Sequence, residues 1–345
     1  MPSGLTVVAG PPSGLDSTAD AAFYTVSDAG FFVGTVALLN SLAATGHDQP
    51  LVVLDQGLEP GQVERLGRHA TVVTFAAERD HPVTAKPFPF LMDGPPTVVV
   101  IDSDMIVAGS LGEILEQAAA GRLCLFPDHV SDRARWFSEW KEIFELPAEP
   151  RHQTYLNSGF VAVSKAHWPT LLPRWWEACS RISGAQIFTV GNSPVRDGDQ
   201  DALNAILMSE VPEAAVLGLA ASAEAYPDAL TQVTIEDERS LASTIDGDRV
   251  LILHHAMRPK AWAPAGRPRL DRRDAYVKLL PRLLFGSDVP LRLTPDEVPV
   301  WLRPTPAGRV ALGAASTANR ARDRLTRFRA VSVRRARKVM SLKAR

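Results

Sequence analysis

Asp102 and Asp104 stand two residues apart, directly after the apolar run Val98 to Ile101 and just before Met105, Ile106 and Val107. Carboxylates this close repel unless a positive charge lies between them, and a hard divalent cation, itself suited to a diphosphate, is the common solution. Short motifs also arise by chance, with one or both acids capping the next segment or facing solvent. Other residues must therefore complete the chemistry. Lys86, in TAKPFPFL, can add a point charge beside a diphosphate or be a solvated surface lysine. Asp28 follows an apolar run where a helix should begin, and suits either a base or ribose hydrogen bond or a helix cap. Asn157, Ser158 and Gly159 interrupt the apolar stretch YLNSGFVAV, which marks a bulge or a close ligand approach. Asp197, Asp199 and Asp201 cluster with Gln200 where the helix dipole alone would accommodate acids. His254 ends a late apolar run and is a candidate third metal ligand, with an imidazole that suits Mn²⁺ better than Mg²⁺ or Ca²⁺. Arg258 and Lys260 would face the same phosphates; His255 points to the other side of its strand and reads as core.

The elements that must position these residues alternate between β and α. The expected strands are Leu5 to Ala9, Ala22 to Val26, Leu51 to Leu54, Val72 to Phe75, Val98 into the DxD, Leu123 to Phe126, Tyr155 to Val163 and Val250 to Leu253. Between them the spacing predicts helices after Gly30 to about Ala44, closed by Gly46, then Glu59 to Arg68, Leu111 to Ala119, Lys165 to Ser180 and Asp197 to about Met208. This is a doubly wound α/β pattern. Runs without polar alternation are strands covered on both faces, and such sheets place ligands at strand carboxyl ends, where the DxD falls. Asp128 to Leu146 is rich in charge and tryptophan, with Asp132, Arg133, Arg135, Trp136, Trp140 and Lys141. The two tryptophans read as a sugar grip or as one packed helix face. Trp168, Trp175 and Trp176 read as packing, and residues 212–245 carry no signal.

At 345 residues and 46% hydrophobic, the chain can bury one large or two modest cores. No apolar run approaches the ~20 residues of a membrane helix and the first twenty residues lack a signal-peptide pattern, so a cytoplasmic location is expected. Cys124 and Cys179 form no CxxC pair and read as buried thiols. The net charge of −2 hides a split. Arg320 to Arg345 carry 11 basic residues against Asp323, which leaves 26 basic and 38 acidic residues in the body. Leu325, Phe328, Val331, Ala336 and Val339 share one side of a helical tail and Arg327, Arg334, Arg337 and Lys338 the other. The tail reads as an interfacial helix on anionic lipid at the inner face of the membrane or as a solvated segment. No nucleic acid is among the expected partners.

Taken together, Lys86, IDSD at 101–104, YLNSG at 155–159, DQDALN at 199–204 and HHAMRPKAW at 254–262 resemble, in order, the family 8 glycosyltransferases, in their glycogenin and bacterial lipooligosaccharide galactosyltransferase branches. The resemblance spans about Phe23 to Trp262. It implies a GT-A fold, a Rossmann-like doubly wound mixed sheet, and retaining transfer from a nucleotide-diphosphate sugar, usually UDP-linked. The implied cofactor is Mn²⁺, with Mg²⁺ as a substitute. Counting back from Trp262, as the family pattern does, gives His254 as metal ligand and Lys260 as phosphate ligand. By the same carry-over Asp102 and Asp104 bind metal and ribose, with Ser103 between them at the donor. Asn157 and Asp199 hold donor-sugar hydroxyls, and Gln200 faces the β side of the anomeric carbon. Arg258 stands where the family usually has glycine, and Ala261 replaces a proline.

The expected organisation is a transferase domain over residues 1–285 and a C-terminal extension over 286–345, with a basic helical tail from about 318. Two other readings remain. A haloacid-dehalogenase-type phosphatase also places DxD after an apolar strand and could recruit Asp199 and Asp201 for Mg²⁺, but does not call for His254 and Lys260. A catalytically silent sugar-nucleotide-binding protein is the other. The acceptor is a glycan, lipid or small molecule that the chain does not encode legibly.

Overall fold

Strands without polar alternation need cover on both faces, and the sheet at the centre of the protein provides it. A computed structural model describes residues 5–11, 19–75, 81–128, 135–189, 191–263 and 270–321. Its strands are β1 (Leu5–Ala9), β2 (Ala21–Ser27), β3 (Leu51–Asp55), β4 (Thr71–Phe75), β5 (Thr97–Ile101), β6 (Met105–Val107), β7 (Leu123–Pro127), β8 (Leu156–Ser164) and β9 (Val216–Gly218). Five shorter strands follow: β10 (Glu224–Ala225), β11 (Thr234–Asp237), β12 (Ala242–Ile245), β13 (Asp248–Val250) and β14 (Ile252–His254). The α-helices are α1 (Phe32–Ala44), α2 (Pro60–Leu66), α3 (Gly112–Ala119), α4 (Trp140–Ile143), α5 (Leu171–Ser180), α6 (Asp199–Glu210) and α7 (Ala275–Phe285).

The main sheet runs β1-β4-β3-β2-β5-β8-β7-β9. Strands β4, β3, β2 and β5 are mutually parallel, and β8 lies antiparallel between β5 and β7. Alternate residues enter two cores. Phe23, Val53, Val72, Val99 and Ile101 meet α1, α3 and α7 on one face, while Tyr24, Val52, Leu54, Val98 and Val100 meet α5 and α6 on the other. This is the mixed, doubly wound arrangement expected from the apolar runs.

Three boundaries differ from those expectations. The segment around the DxD splits between two sheets, since β5 stays in the main sheet and β6 pairs with β14 in a sheet ordered β10-β14-β6. The late strand also splits, into β13 and β14. Between them the Leu251 amide donates to the Ala223 carbonyl and its carbonyl accepts from the Ala108 amide, which moves the chain from one small sheet to the other. Finally, α5 starts at Leu171 rather than Lys165. Pro169 explains this, because the residue before proline is pushed out of helical geometry.

Residues after α7 are bound to the rest of the fold. Buried Asn40 of α1 donates to the carbonyls of Leu283 and Leu291, both at 2.7 Å, and accepts from the Leu291 amide at 3.0 Å. Trp301 donates through Nε1 to the Ala261 carbonyl at 2.8 Å. A helical segment covers 306–321, and the basic tail beyond it lies outside the described residues, as do Asp132 and Arg133. Among the described residues no helix is long and apolar enough to cross a membrane.

The start of α7 carries a pH dependence. Asp274 caps the helix by accepting from the Val277 amide, yet it is buried, and burial lifts its carboxyl to about 6 against the opposing pull of backbone donors. A carboxyl with a folded pKa above its unfolded value near 3.8 costs nothing at pH below that value. The cost grows through the window and is complete above pH 6, at about 3 kcal/mol for two units. Asparagine caps equally well and does not ionise. The unfolding free energy of Asp274→Asn minus that of wild type should therefore rise by roughly 2–3 kcal/mol between pH 4 and pH 7. Urea titrations at the two pH values measure it, and a pH-independent difference would contradict the account.

Candidate active site

The residues singled out by the sequence come together at the carboxyl ends of β2 and β5. Asp28, Lys86, Asp102, Ser103, Asp104, Asn157, Asp199, Gln200, His254, Arg258 and Lys260 all line one cavity of about 520 Å³. Strand pairing places the most distant of them. Antiparallel β14 and β6 put His254 opposite Met105, the residue after Asp104, and the His255 amide donates to the Asp104 carbonyl at 3.0 Å.

Two glycines let the DxD turn sit this close to its neighbours. A Cβ on Gly34 of α1 would collide with the Ser103 carbonyl and with the Trp262 ring. In β8 a Cβ on Gly159 would lie 3.0 Å from Asp102 Oδ2, while the Gly159 carbonyl accepts from the Asp102 amide at 2.8 Å. The glycine of YLNSG thus makes room for the first aspartate rather than marking only a bulge.

The carboxylates face cations on both sides. Lys86 is buried, contrary to the solvated alternative, with Nζ 2.7 Å from Asp102 Oδ1 and 3.0 Å from Asp199 Oδ2. Burial weighs against its charge, but the two acids more than offset this and raise its pKa. Lys260 donates to Asp104 Oδ2 and, at 2.7 Å, to the His255 carbonyl. Asp104 stays ionised: its desolvation is outweighed by Lys260 and His254, which hold its carboxyl well below the usual range.

Asp102, Asp104 and His254 offer two oxygens and a nitrogen within 4.8 Å of one another. His254 Nε2 lies 3.5 Å from Asp104 Oδ1 and 3.9 Å from Asp102 Oδ2. Burial opposes a charge on this ring, but Asp104 and Glu224 raise its pKa to about 10. A divalent ion must displace that proton, as is usual when histidine becomes a ligand. The donor set, hard carboxylates with one imidazole, fits Mn²⁺.

The opposite wall comes from β8 and α6. Asp199 accepts from the Ser158 hydroxyl at 2.6 Å, and its backbone carbonyl accepts from Trp175 Nε1 at 2.8 Å. Burial raises its pKa, opposed by Lys86. Asn157 accepts from the Gly159 amide, so its NH₂ is the group left to offer a ligand. Gln200 accepts from the Ser158 amide at 3.2 Å and donates to Asp128 Oδ2 at 2.7 Å, which fixes which end of its amide is which. Asp28 lines the cavity and also accepts from the Phe31 amide, so it performs the turn-capping role while remaining at the wall. Arg258 sits over the exposed Phe188 ring at 5.0 Å, at the rim.

Several contributors had no sequence signal of their own. Asp128, Tyr226 and Phe188 line the cavity, and Glu224 lies behind His254 in the stretch that read as uninformative. Arg135 was one charge in a charged segment; it pairs with buried Asp201 and anchors the start of α6. The tryptophans pack: Trp140 is buried and Trp136 stacks on His152 at 4.1 Å.

No protein-family model and no curated protein sequence matches the chain. Solved structures do resemble it. The bifunctional glycosyltransferase WbbM, in its apo form, matches with a TM-score of 0.51 and 14% identity over 79% of this chain and 50% of that one. The galactosyltransferase LgtC, in complex with donor and acceptor sugar analogs, matches at 0.49 and 15% identity over 77% of this chain and 98% of that one. GlyE of Streptococcus pneumoniae TIGR4, apo, matches at 0.49 and 14% over 76% of this chain and 60% of that one. This chain thus spans about half the length of the WbbM chain. The fold is the GT-A glycosyltransferase fold.

Proposed function

We propose that the chain is a retaining glycosyltransferase of the family 8 type, transferring a sugar from a UDP-sugar to an acceptor hydroxyl with Mn²⁺ as cofactor. The observation that carries this reading is the convergence of Asp102, Asp104 and His254 on one point of a cavity that Lys86, Lys260 and Arg258 also line. That is a site for a divalent ion next to a polyanion, in a fold used for sugar transfer.

Asp102, Asp104 and His254 would hold Mn²⁺, which would supply Lewis-acid stabilisation of the departing diphosphate. The protein's own groups do the rest. Lys260, and Arg258 at the rim, face the phosphates as fixed positive charges, worth most where water is excluded. Asp28 offers an acceptor to the base or ribose. Lys86 pairs with both Asp102 and Asp199 and aligns their carboxyl groups, so that Asp199 and Asn157 can hold donor-sugar hydroxyls. Gln200 stands for the β face of the anomeric carbon. Its carbonyl is already committed to the Ser158 amide, and an amide is a poor nucleophile, which favours same-face attack by the acceptor over a lasting covalent intermediate.

The test is proton NMR of UDP-glucose, UDP-galactose and UDP-N-acetylglucosamine with the protein and Mn²⁺, without acceptor. The expected result is slow, metal-dependent release of UDP from one of them, the sugar appearing first as the α anomer, as in the donor. First appearance as the β anomer would overturn retention. Absence of metal-dependent release from all three would remove the UDP-sugar reading.

A further inference from the structure

We propose that Glu224 is a positioning residue for the metal site, acting through His254 by fixing which nitrogen of the imidazole is the ligand. The proposal rests on the metal reading above and adds a residue outside every motif that led to it. Glu224 is 1% exposed and occupies β10, a strand of two residues whose described pairing is parallel to β14, with Glu224 opposite Ile252 and Ala225 opposite Leu253. This pairing holds the carboxylate beside the strand that ends in His254. Oε1 lies 2.8 Å from His254 Nδ1.

A carboxylate can only accept, so Nδ1 carries a hydrogen. Nε2 is then the nitrogen available to a metal, and it is the one that faces Asp102 and Asp104 at 3.9 and 3.5 Å. Tyr226, two residues after Glu224, packs edge-on against the ring at 5.3 Å and limits its rotation. Glu224 cannot share the ion, because it lies on the far side of the imidazole. Its part is to orient the ring and to make Nε2 a stronger donor, as carboxylates behind metal-bound histidines do.

Two features argue against a purely structural acid. A buried carboxylate is costly unless paired, and an Ala or Leu among the flanking Ala223 and Ala225 would serve packing alone. Its Oε1 also meets the imidazole nitrogen that turns away from Asp102 and Asp104. A carboxylate hydrogen-bonded behind a metal-binding histidine typically contributes about 10–100-fold to metal affinity.

Titrating Mn²⁺ into the full chain with saturating UDP, and following the electron paramagnetic resonance of free aqueous Mn²⁺, measures this without turnover. Glu224→Gln should weaken Mn²⁺ binding about 10–100-fold. In a His254→Ala background, where binding is already weaker, the same change should cost nothing further. Glu224→Asp, which keeps the charge but not the reach, should also weaken binding; it carries the same comparison should the glutamine variant fail to fold. Wild-type affinity in Glu224→Gln, or an equal loss with and without His254, overturns the proposal while leaving the metal site intact. Failure of the wild type itself to take up Mn²⁺ overturns the metal reading and this proposal with it.

Discussion

Asp104→Asn should lower Mn²⁺-dependent turnover of the preferred UDP-sugar by about 10³-fold or more, the scale at which removing one preorganised electrostatic contact at a transition state is felt. The substitution keeps shape and removes charge. Asp104 faces His254 through Oδ1 and takes a hydrogen bond from Lys260 through Oδ2, so the change both removes a proposed metal ligand and leaves a buried lysine without its counter-charge. Steady-state release of UDP, measured with and without Mn²⁺, decides the matter. The variant should lose the metal stimulation and not merely shift KM. A kcat within tenfold of wild type would mean that Asp104 is not where the leaving group is stabilised.

Arg135→Leu should cost about 3–5 kcal/mol of stability, the range for removing one partner of a buried ion pair and stranding the other. The guanidinium grips Asp201 through two hydrogen bonds, Nε to Oδ1 at 2.9 Å and Nη2 to Oδ2 at 2.7 Å, with side-chain exposures of 5% and 0%. Asp201 also accepts from the Tyr155 hydroxyl at 2.8 Å and from the Asp197 amide at 2.7 Å. This network fixes the first turn of α6, where Asp199 and Gln200 sit. Equilibrium denaturation at pH 7 should show the loss, and it should shrink towards pH 4 as the stranded carboxyl takes up a proton. A loss under 1 kcal/mol would show that the pair is not the anchor described.

Much of the fold could be read because its parallel core leaves long apolar runs, and the punctuation at Gly30, Gly46 and Pro95–Pro96 is unambiguous. What could not be read was where a strand changes sheets. Val98 to Val107 looks like one run with a polar interruption, yet the interruption is the DxD turn, and only the pairing of β6 with β14, a strand far along the chain, makes the second half a separate strand. The late start of α5 was legible in Pro169 and was missed in favour of the apolar spacing. At the site, residues in ordered motifs could be singled out, whereas Glu224 could not. Nothing local in ASAEAY distinguishes a buried acid from a solvated one, since its partner is brought by non-local pairing. Trp175 shows the limit differently. It packs, as its type suggests, but its indole N–H also holds the backbone of Asp199.

The central claim is a metal-dependent nucleotide site built on Asp102, Asp104 and His254, and calorimetric titration of UDP, with GDP as comparison, tests it most directly. The account predicts that wild type binds UDP with Mn²⁺ and far more weakly without it, and that Asp104→Asn loses the Mn²⁺-dependent part. Binding of neither nucleotide under any condition, or UDP binding indifferent to both metal and Asp104, would contradict it.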